Sequence, residues 1–268
     1  MNTQTWLSEN TTRLLAAGIE TARLDCLVLL ADQLDQDKSW LLSHPEHVLQ
    51  GSEIEILGTK IAQREQHVPL AYIRGKAEFY GREFVVNPHT LVPRPETETM
   101  IDLLKGLGLL FGSKILDVGT GSGCIAITAA LELPGMSLSG CDIDPECVRT
   151  ARHNAEKLGA HVAFFASDLL AQAPPQNALA ANLPYVPDNF QINTAATHEP
   201  RTALFGGADG LDVYRELFKQ IAAAPWKPQH VLAESLPPQH EALVAIAGAH
   251  GFRLQQTNDF IQVFNYSR

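Results

Sequence analysis

The chain has 268 residues, 45% of them hydrophobic, and its 20 Lys and Arg against 30 Asp and Glu give a formal charge of −10. That length fits one large domain or a domain with an appendage, and the hydrophobic share is ordinary for a globular protein. The acidic balance argues against broad electrostatic capture of nucleic acid or an anionic membrane, though not against a local basic patch. Cys26, Cys124, Cys141 and Cys147 lack metal-ligand spacing. They read as small apolar fillers of a reduced core, and no metal is expected. The N-terminal stretch MNTQTWLSEN has no signal-peptide pattern, and no apolar run is long enough to span a bilayer. A cytoplasmic location is the resulting expectation.

Residues 1–75 carry helical patterning without a chemical motif. Trp6, Leu14 and Leu15 are expected to share a face, and Leu24, Leu27, Val28, Leu30, Ala31 and Leu34 form a wider stripe. Trp40 to Leu42 start a short piece that Pro45 interrupts, and Ile54, Ile56, Leu57, Ile61 and Ala62 suggest a further helix. Such a bundle either presents a partner or is a structural appendage.

Residues 76–95 change character. Glu78 to Val86 reads as a hairpin with Gly81 in or near its turn. In Leu91-Val92-Pro93-Arg94-Pro95-Glu96-Thr97-Glu98, two prolines force a stiff, extended path. It is either a linker or a rigid wall to a cleft. Glu96 and Glu98 then fall in the first turn of a helix running towards Leu110, where acids are favourable.

Residues 96–268 are built around Lys114 to Leu131, KILDVGTGSGCIAITAAL. The pattern is a buried strand, a tight glycine turn and a helix, so free N–H groups at the helix start are expected to face a ligand. Ser137 to Cys141 and Val162 to Phe165 supply further strands, with a Pro145-initiated helix between them. This is β-α-β-α-β, the first half of a doubly wound sheet, in which ligands bind beyond the carboxyl ends of the strands. Asp117, Asp142 and Asp168 all lie at those ends. Asp142 stands about twenty residues after Gly119, where a carboxylate can accept from two ribose hydroxyls. The spacing Gly119-x-Gly121-x-Gly123 lacks the dinucleotide pattern, which favours a nucleoside ligand without phosphates, such as S-adenosylmethionine.

Ala178 to Ala181 is a fourth apolar strand ending in Asn182-Leu183-Pro184-Tyr185. The carboxamide can donate and accept, Pro184 stiffens the path, and Tyr185 can cover a flat group. Together they suit a planar amide or a base amino group. The long loop to Gly210 contains Glu199 and Arg201, which could pair and brace the site, and His198, expected to be a solvent-exposed or hydrogen-bonded loop histidine. A helix over 211–223, a strand ending on Glu234, a helix over 239–249 and a closing β pair complete the expected seven strands, with helices on both faces.

With these motifs assembled, the chain resembles the class I S-adenosylmethionine-dependent methyltransferases, specifically the protein N5-glutamine methyltransferases that modify peptide chain release factors. The resemblance rests on Pro93 to Glu98, on Asp117 to Ile127, on Asn182 to Tyr185, and on Glu199-Pro200-Arg201-x-Ala203-Leu204-x-Gly206-Gly207-x-Asp209-Gly210-Leu211. It covers essentially the whole chain. It implies a Rossmann-like, doubly wound, seven-stranded, mostly parallel sheet. A helical substrate-recognition domain (1–75) and a hairpin with linker (76–95) would precede the methyltransferase domain (96–268). Asp117, Gly119, Thr120, Gly121, Ser122, Gly123, Asp142, Asp168, Leu169 and Asn182 are the implied cofactor-binding residues. Asn182, Leu183, Pro184 and Tyr185 are the implied substrate clamp. S-adenosyl-L-methionine would leave as S-adenosyl-L-homocysteine. The expected partner is the glutamine-bearing loop of a release factor, with no stable nucleic-acid binding and no membrane.

The sequence departs from that family pattern at Leu183, where the family has proline, in the Ala-Leu-Ala-Ala strand, which lacks an acid, and at Ser235, which follows Glu234 in place of glycine. Asn258 to Gln262 also lacks the usual glycine and arginine. Two other readings use the same residues. A nucleic-acid amino methyltransferase, for instance one acting on adenine N6, could hold an exocyclic amine in the same clamp, and a non-catalytic protein could keep the fold for binding alone.

Overall fold

The computed structural model describes residues 1–267, which divide into two compact units. The first comprises Met1–Gly75 together with Asn193–His198. Its helices are α1 (Thr3–Ala16), α2 (Ala22–Leu34), α3 (Lys38–Ser43), α4 (Gly51–Glu65) and α5 (Leu70–Arg74). Side chains start two of them: Asn2 accepts from the Thr5 amide and Asp37 from the Trp40 amide. The inward face of α1 runs through Trp6, Asn10 and Leu14, with the Asn10 amide turned onto the Trp6 carbonyl at 2.8 Å. Leu15, expected on that face, is 56% exposed, and Leu24 of α2 is 51% exposed. Each lies beyond the apolar stripe that period 3.6 directs inward. Trp6, Leu14, Cys26, Leu29, Leu57 and Ile61 form the centre of this core. Asp25 and Arg64 pair across it at 2.7 Å. Within the same unit, His198 Nε2 meets the Gln66 carbonyl at 2.9 Å, the hydrogen-bonded loop histidine that was expected.

The second unit begins with the hairpin of β1 (Lys76–Phe79) and β2 (Arg82–Val85). Tyr80 and Gly81 both adopt positive φ, 51° and 70°, as a two-residue primed turn requires. The Tyr80 amide donates to Glu98 Oε1 at 2.7 Å, so Glu98 holds the hairpin turn. Glu98 opens α6 (Glu98–Gly106), which follows a single 3₁₀ turn at Pro95–Thr97. The helix stops short of Leu110, which is 80% exposed.

The main sheet contains β3 (Lys114–Val118), β4 (Ser137–Asp142), β5 (Val162–Ala166), β6 (Ala178–Ala181), β7 (His230–Glu234), β8 (Phe252–Asn258) and β9 (Ile261–Tyr266). Their spatial order is β5-β4-β3-β6-β7-β9-β8. The first five are parallel, and β9 runs antiparallel between β7 and β8. The connecting helices are α7 (Cys124–Glu132), α8 (Pro145–Leu158), α9 (Arg201–Leu204), α10 (Asp212–Ala223) and α11 (His240–Ala249). This is the expected doubly wound, mostly parallel seven-stranded sheet.

Alternate residues of each central strand feed opposite cores. Ile115, Ala178 and Ala180 pack with Phe79, Phe84 and Ile127 on one face. Leu116, Leu179 and Ala181 pack with Tyr214, Phe218 and Phe264 on the other. The chain builds outward from β3 to β5 and then returns beside β3 as β6. The carboxyl ends of β3 and β6 are therefore the switch point where such sheets bind ligands.

Gly123 caps α7 with φ of 83°, and a Cβ there would lie 2.9 Å from both Ala151 Cβ on α8 and Ile127 Cδ1. Strain and overpacking act together at this position. Gly123→Ala should lower unfolding free energy by about 2–3 kcal/mol in denaturant titration. Gly51→Ala, where a Cβ meets nothing within 4 Å, should change little.

Candidate active site

A cavity of about 410 Å³ opens at the switch point. Its walls come from the glycine loop, the ends of β4 and β5, the Asn182-Leu183-Pro184 stretch, the Pro93–Thr97 segment and α9. The volume is of the class that encloses a small cofactor.

The glycine loop is held from within. The Cys141 carbonyl accepts from the amides of Gly119 and Thr120, both at 2.9 Å. The Gly121 amide donates to Asp142 Oδ2 at 2.9 Å, and the Gly123 amide to the Thr120 carbonyl at 2.8 Å. The Gly119, Thr120, Gly121 and Gly123 amides are thus consumed by the fold, while the helix start itself, through Ser122, Cys124 and Ile125, lines the cavity. Gly123 serves the helix contact described above and does not line the cavity.

Asp117 lies beneath the loop and also does not line the cavity. Its Oδ2 accepts from Thr120 Oγ1 at 2.6 Å and the Ala126 amide at 3.2 Å, while the buried Oδ1 has no partner. Burial pushes its pKa up to about 7, against the pull of those two donors.

Asp142 does line the cavity. Each oxygen takes one amide, Oδ1 from Asp144 and Oδ2 from Gly121, which leaves a second lone pair on each. Burial raises its pKa, partly offset by these amides. The cap of α8 is Asp144, which accepts from the Glu146 amide at 2.8 Å, so Asp142 is not spent as a helix cap.

Asp168 is exposed on the cavity wall beside buried Leu169. Leu169 has φ of 49°, uncommon for a side chain of this size. Its carbonyl is turned to accept from Ser167 Oγ and Cys141 Sγ. Ile143, on the facing strand end, lines the cavity while 68% exposed. Ile143 and Leu169 are apolar walls suited to a flat base, and Asp142, Asp144 and Asp168 give that end an acidic lining.

The far end is the Asn182 stretch. Asn182 Nδ2 donates to Thr97 Oγ1 at 3.0 Å, and no described residue bonds its Oδ1. The Leu183 side chain is buried, with Cδ2 3.0 Å from where a Cβ on Gly119 would sit, and Gly119 has φ of 74°. The Leu183 amide donates to the Tyr214 hydroxyl at 3.3 Å, and that hydroxyl is shared between the carbonyls of Ala181 and Glu234. Asn182, Leu183 and Pro184 line the cavity; Tyr185 does not. Its hydroxyl donates to buried Glu234 at 3.1 Å, and burial beside Glu234 pushes its pKa well up. Burial also raises Glu234, to about 7, against the hydroxyls of Thr97 and Tyr185.

Glu199 is buried and pairs with Arg94 at 2.6 Å, also accepting from the Val92 amide. Arg201 instead stacks over the Phe205 ring at 4.3 Å. The expected Glu199–Arg201 pair does not form: Glu199 spans 105 positions to fix the Pro93–Thr97 wall.

Residues 5–75 match the family described as PrmC N-terminal domain, and residues 96–199 the family described as Methyltransferase small domain. A protein of Koribacter versatilis named release factor glutamine methyltransferase is 40% identical over 214 residues, 77% of this chain and 76% of its own. The chain belongs to the release factor glutamine methyltransferase family. A family member from Coxiella burnetii is 31% identical over 250 residues, covering 92% of this chain and 90% of that protein. The fold alone is shared with a ribosomal protein L11 methylase of Lactobacillus delbrueckii subsp. bulgaricus. There the TM-score is 0.50 at 18% identity, over 68% of this chain and 83% of that one. As a member, the chain is an S-adenosylmethionine-dependent methyltransferase.

Four further residues join this site without being singled out by the sequence. Thr97 falls within the Pro93 to Glu98 motif, Ile143 directly follows Asp142, and Tyr214 and Glu234 fall within a helix and a strand. An apolar residue directly after the ribose-type acid was the one available cue, and it points to Ile143.

Arg94→Ala leaves the buried Glu199 carboxylate with only one amide. It should cost about 3 kcal/mol in denaturant unfolding, and a double replacement with Glu199→Leu should recover much of that. Asp117 and Glu234 give a pH dependence of opposite sign to ordinary ion pairs. Their pKa values of about 7 in the folded protein exceed the ordinary 3.8 and 4.5, so the stability they contribute at low pH is lost as pH rises through about 7. Asp117→Asn should therefore flatten the fall in unfolding free energy between those values, as read by thermal unfolding of the cofactor-free protein.

Proposed function

We propose that this enzyme transfers a methyl group from S-adenosylmethionine to the side-chain amide nitrogen of a glutamine in a peptide chain release factor. The helical unit would engage that partner, in the cytoplasm where the partner works. One observation carries the clamp. Asn182 Oδ1 and the Leu183 carbonyl are acceptors without partners among the described residues, and both residues line the cavity opposite the acidic end.

The residues suit the cofactor. Asp142 has the two free lone pairs that a ribose diol needs, Ile143 and Leu169 form walls for adenine, and the acidic lining favours a cationic sulfonium. Bound S-adenosylmethionine supplies an electrophilic methyl on that sulfonium. A glutamine amide nitrogen is a poor nucleophile because its lone pair is delocalised into the carbonyl. Asn182 Oδ1 and the Leu183 carbonyl would each accept one of its N–H groups. The amide plane is thereby fixed, and the π face of the nitrogen is turned towards the methyl. Catalysis then rests on positioning and on acceptors that meet the positive charge as it grows on nitrogen. No base is required beforehand, because the nitrogen becomes acidic as it is alkylated. Pro184 would hold the path extended. Tyr185 would contribute from behind the clamp, through Glu234, in place of covering the amide.

The same acceptors would suit an adenine amine, but 40% identity across three quarters of a glutamine methyltransferase favours the protein substrate. The test is transfer of labelled methyl to purified release factor, with the modified peptide read by mass spectrometry. Asn182→Ala should lower kcat by about a hundredfold or more while cofactor affinity stays within about threefold. Unchanged turnover in that variant, or label found only in nucleic acid, would sink the reading.

A further inference from the structure

A primary amide presents an edge and two faces. With Asn182 Oδ1 and the Leu183 carbonyl on its N–H edge and the methyl donor on one face, the other face stays open to water unless a wall covers it. Tyr185 does not line the cavity. Phe205 does, and among the described residues it is the one phenyl, phenol or indole ring in the lining. The fold fixes it beside the clamp. Phe205 follows α9 in extended conformation, with φ of −94° and ψ of 123°, and forms a parallel bridge with Val186. The Val186 amide donates to the Leu204 carbonyl at 2.8 Å and the Gly206 amide to the Val186 carbonyl at 3.0 Å, so the chain is stitched down on both sides of Phe205. A Cβ on Gly206 would collide with the Pro184 carbonyl, which sets the residue after Phe205 directly against the clamp.

One face of the ring is already taken. Arg201, four residues earlier, lies over it with its guanidinium carbon 4.3 Å from the ring centroid. Arg201 is exposed, so the covered face is the outward one and the free face belongs to the cavity. That face suits the sulfonium poorly, because a guanidinium already draws on the ring's negative quadrupole and a second cation would be repelled through it. The walls suited to adenine, Ile143 and Leu169, stand at the acidic end. A neutral, flat amide remains, and a ring face packs on it by dispersion over its whole area. We propose that Phe205 is a substrate-binding residue whose ring packs on the face of the glutamine amide turned away from the methyl donor. This rests on the reading of Asn182 and Leu183 as the glutamine clamp. The ring keeps water off the nitrogen and stops the amide from tilting back, so the π lone pair stays aimed along the line of transfer.

The experiment is a binding cycle. Wild type, Phe205→Leu and Asn182→Ala are each loaded with S-adenosylhomocysteine and titrated calorimetrically with release factor bearing its acceptor glutamine or alanine in that place. Leucine keeps the apolar bulk and loses the flat face. Phe205→Leu should bind the glutamine form about fivefold more weakly and the alanine form as the wild type does, with S-adenosylhomocysteine affinity within about twofold. Should Phe205→Leu unfold, Phe205→Met carries the same comparison. Asn182→Ala, which removes one acceptor, should also lose about fivefold with the glutamine form alone. When it does, three outcomes overturn the inference and leave the clamp standing. An equal loss with both release factor forms would place the ring against another part of the partner. No loss with either form would remove it from the interface. A folded Phe205→Leu protein that binds S-adenosylhomocysteine much more weakly would assign the ring to the cofactor. An Asn182→Ala protein that binds the glutamine form as the wild type does would overturn the clamp and the inference together.

Discussion

The end of β4 is what the site depends on. One carbonyl, that of Cys141, and one carboxylate, that of Asp142, take three successive amides of the glycine loop. The loop is therefore already folded onto its neighbour strand before any ligand arrives. Binding need not order it, so the conformational entropy of that segment is lost in folding rather than in recognition. The same bonds decide what is recognised. A phosphate seeks open amides in such a loop, and those of Gly119, Thr120 and Gly121 are closed. The cavity also offers a ligand a set of carboxylates and two apolar walls, which suits a neutral sugar and base with a cationic tail.

The opposite end of the cavity is organised by long-range ties of the same economy. Gln239 Nε2 donates to the carbonyls of both Tyr185 and Asp209, each at 2.7 Å. It so joins the clamp to the turn before α10. A Cβ on Gly210 would collide with that Tyr185 carbonyl. The glycine-rich run at 206–210 is thus a packing requirement of the clamp rather than a second binding loop. Glu199 does the corresponding work for the Pro93–Thr97 wall through Arg94.

Much of this architecture was readable from the residues because it is local. Strand, glycine turn and helix at 114–131, the five parallel strands, and the hairpin turn at Tyr80-Gly81 all follow from periodicity and turn chemistry. Partners far apart in the chain were not readable. Glu199 lies two residues from Arg201, yet its partner is Arg94, because only the folded sheet brings that wall to it. The fate of the loop amides was hidden for the same reason: their acceptor is on the next strand, a helix away. Leu15 and Leu24 misled because an apolar residue at the edge of a helical stripe is often simply left in water. Tyr185 misled in another way. An aromatic beside a clamp suggests stacking, whereas its hydroxyl is better served by a buried carboxyl.

Leu183 shows how the fold absorbs a departure from its family. A proline at this position has no N–H and a fixed φ. Leucine brings an amide into a buried site and loosens the path, and an unmet donor there would cost about 1–3 kcal/mol. The Tyr214 hydroxyl meets it while donating towards the carbonyls of Ala181 and Glu234. One buried phenol thus ties the last residue of β6, the clamp and the last residue of β7. The leucine side chain meanwhile packs against Gly119, whose missing Cβ leaves the room. Rigidity that a proline ring would supply covalently is supplied here by a hydrogen bond and a close contact, and the Leu183 carbonyl stays available to the substrate.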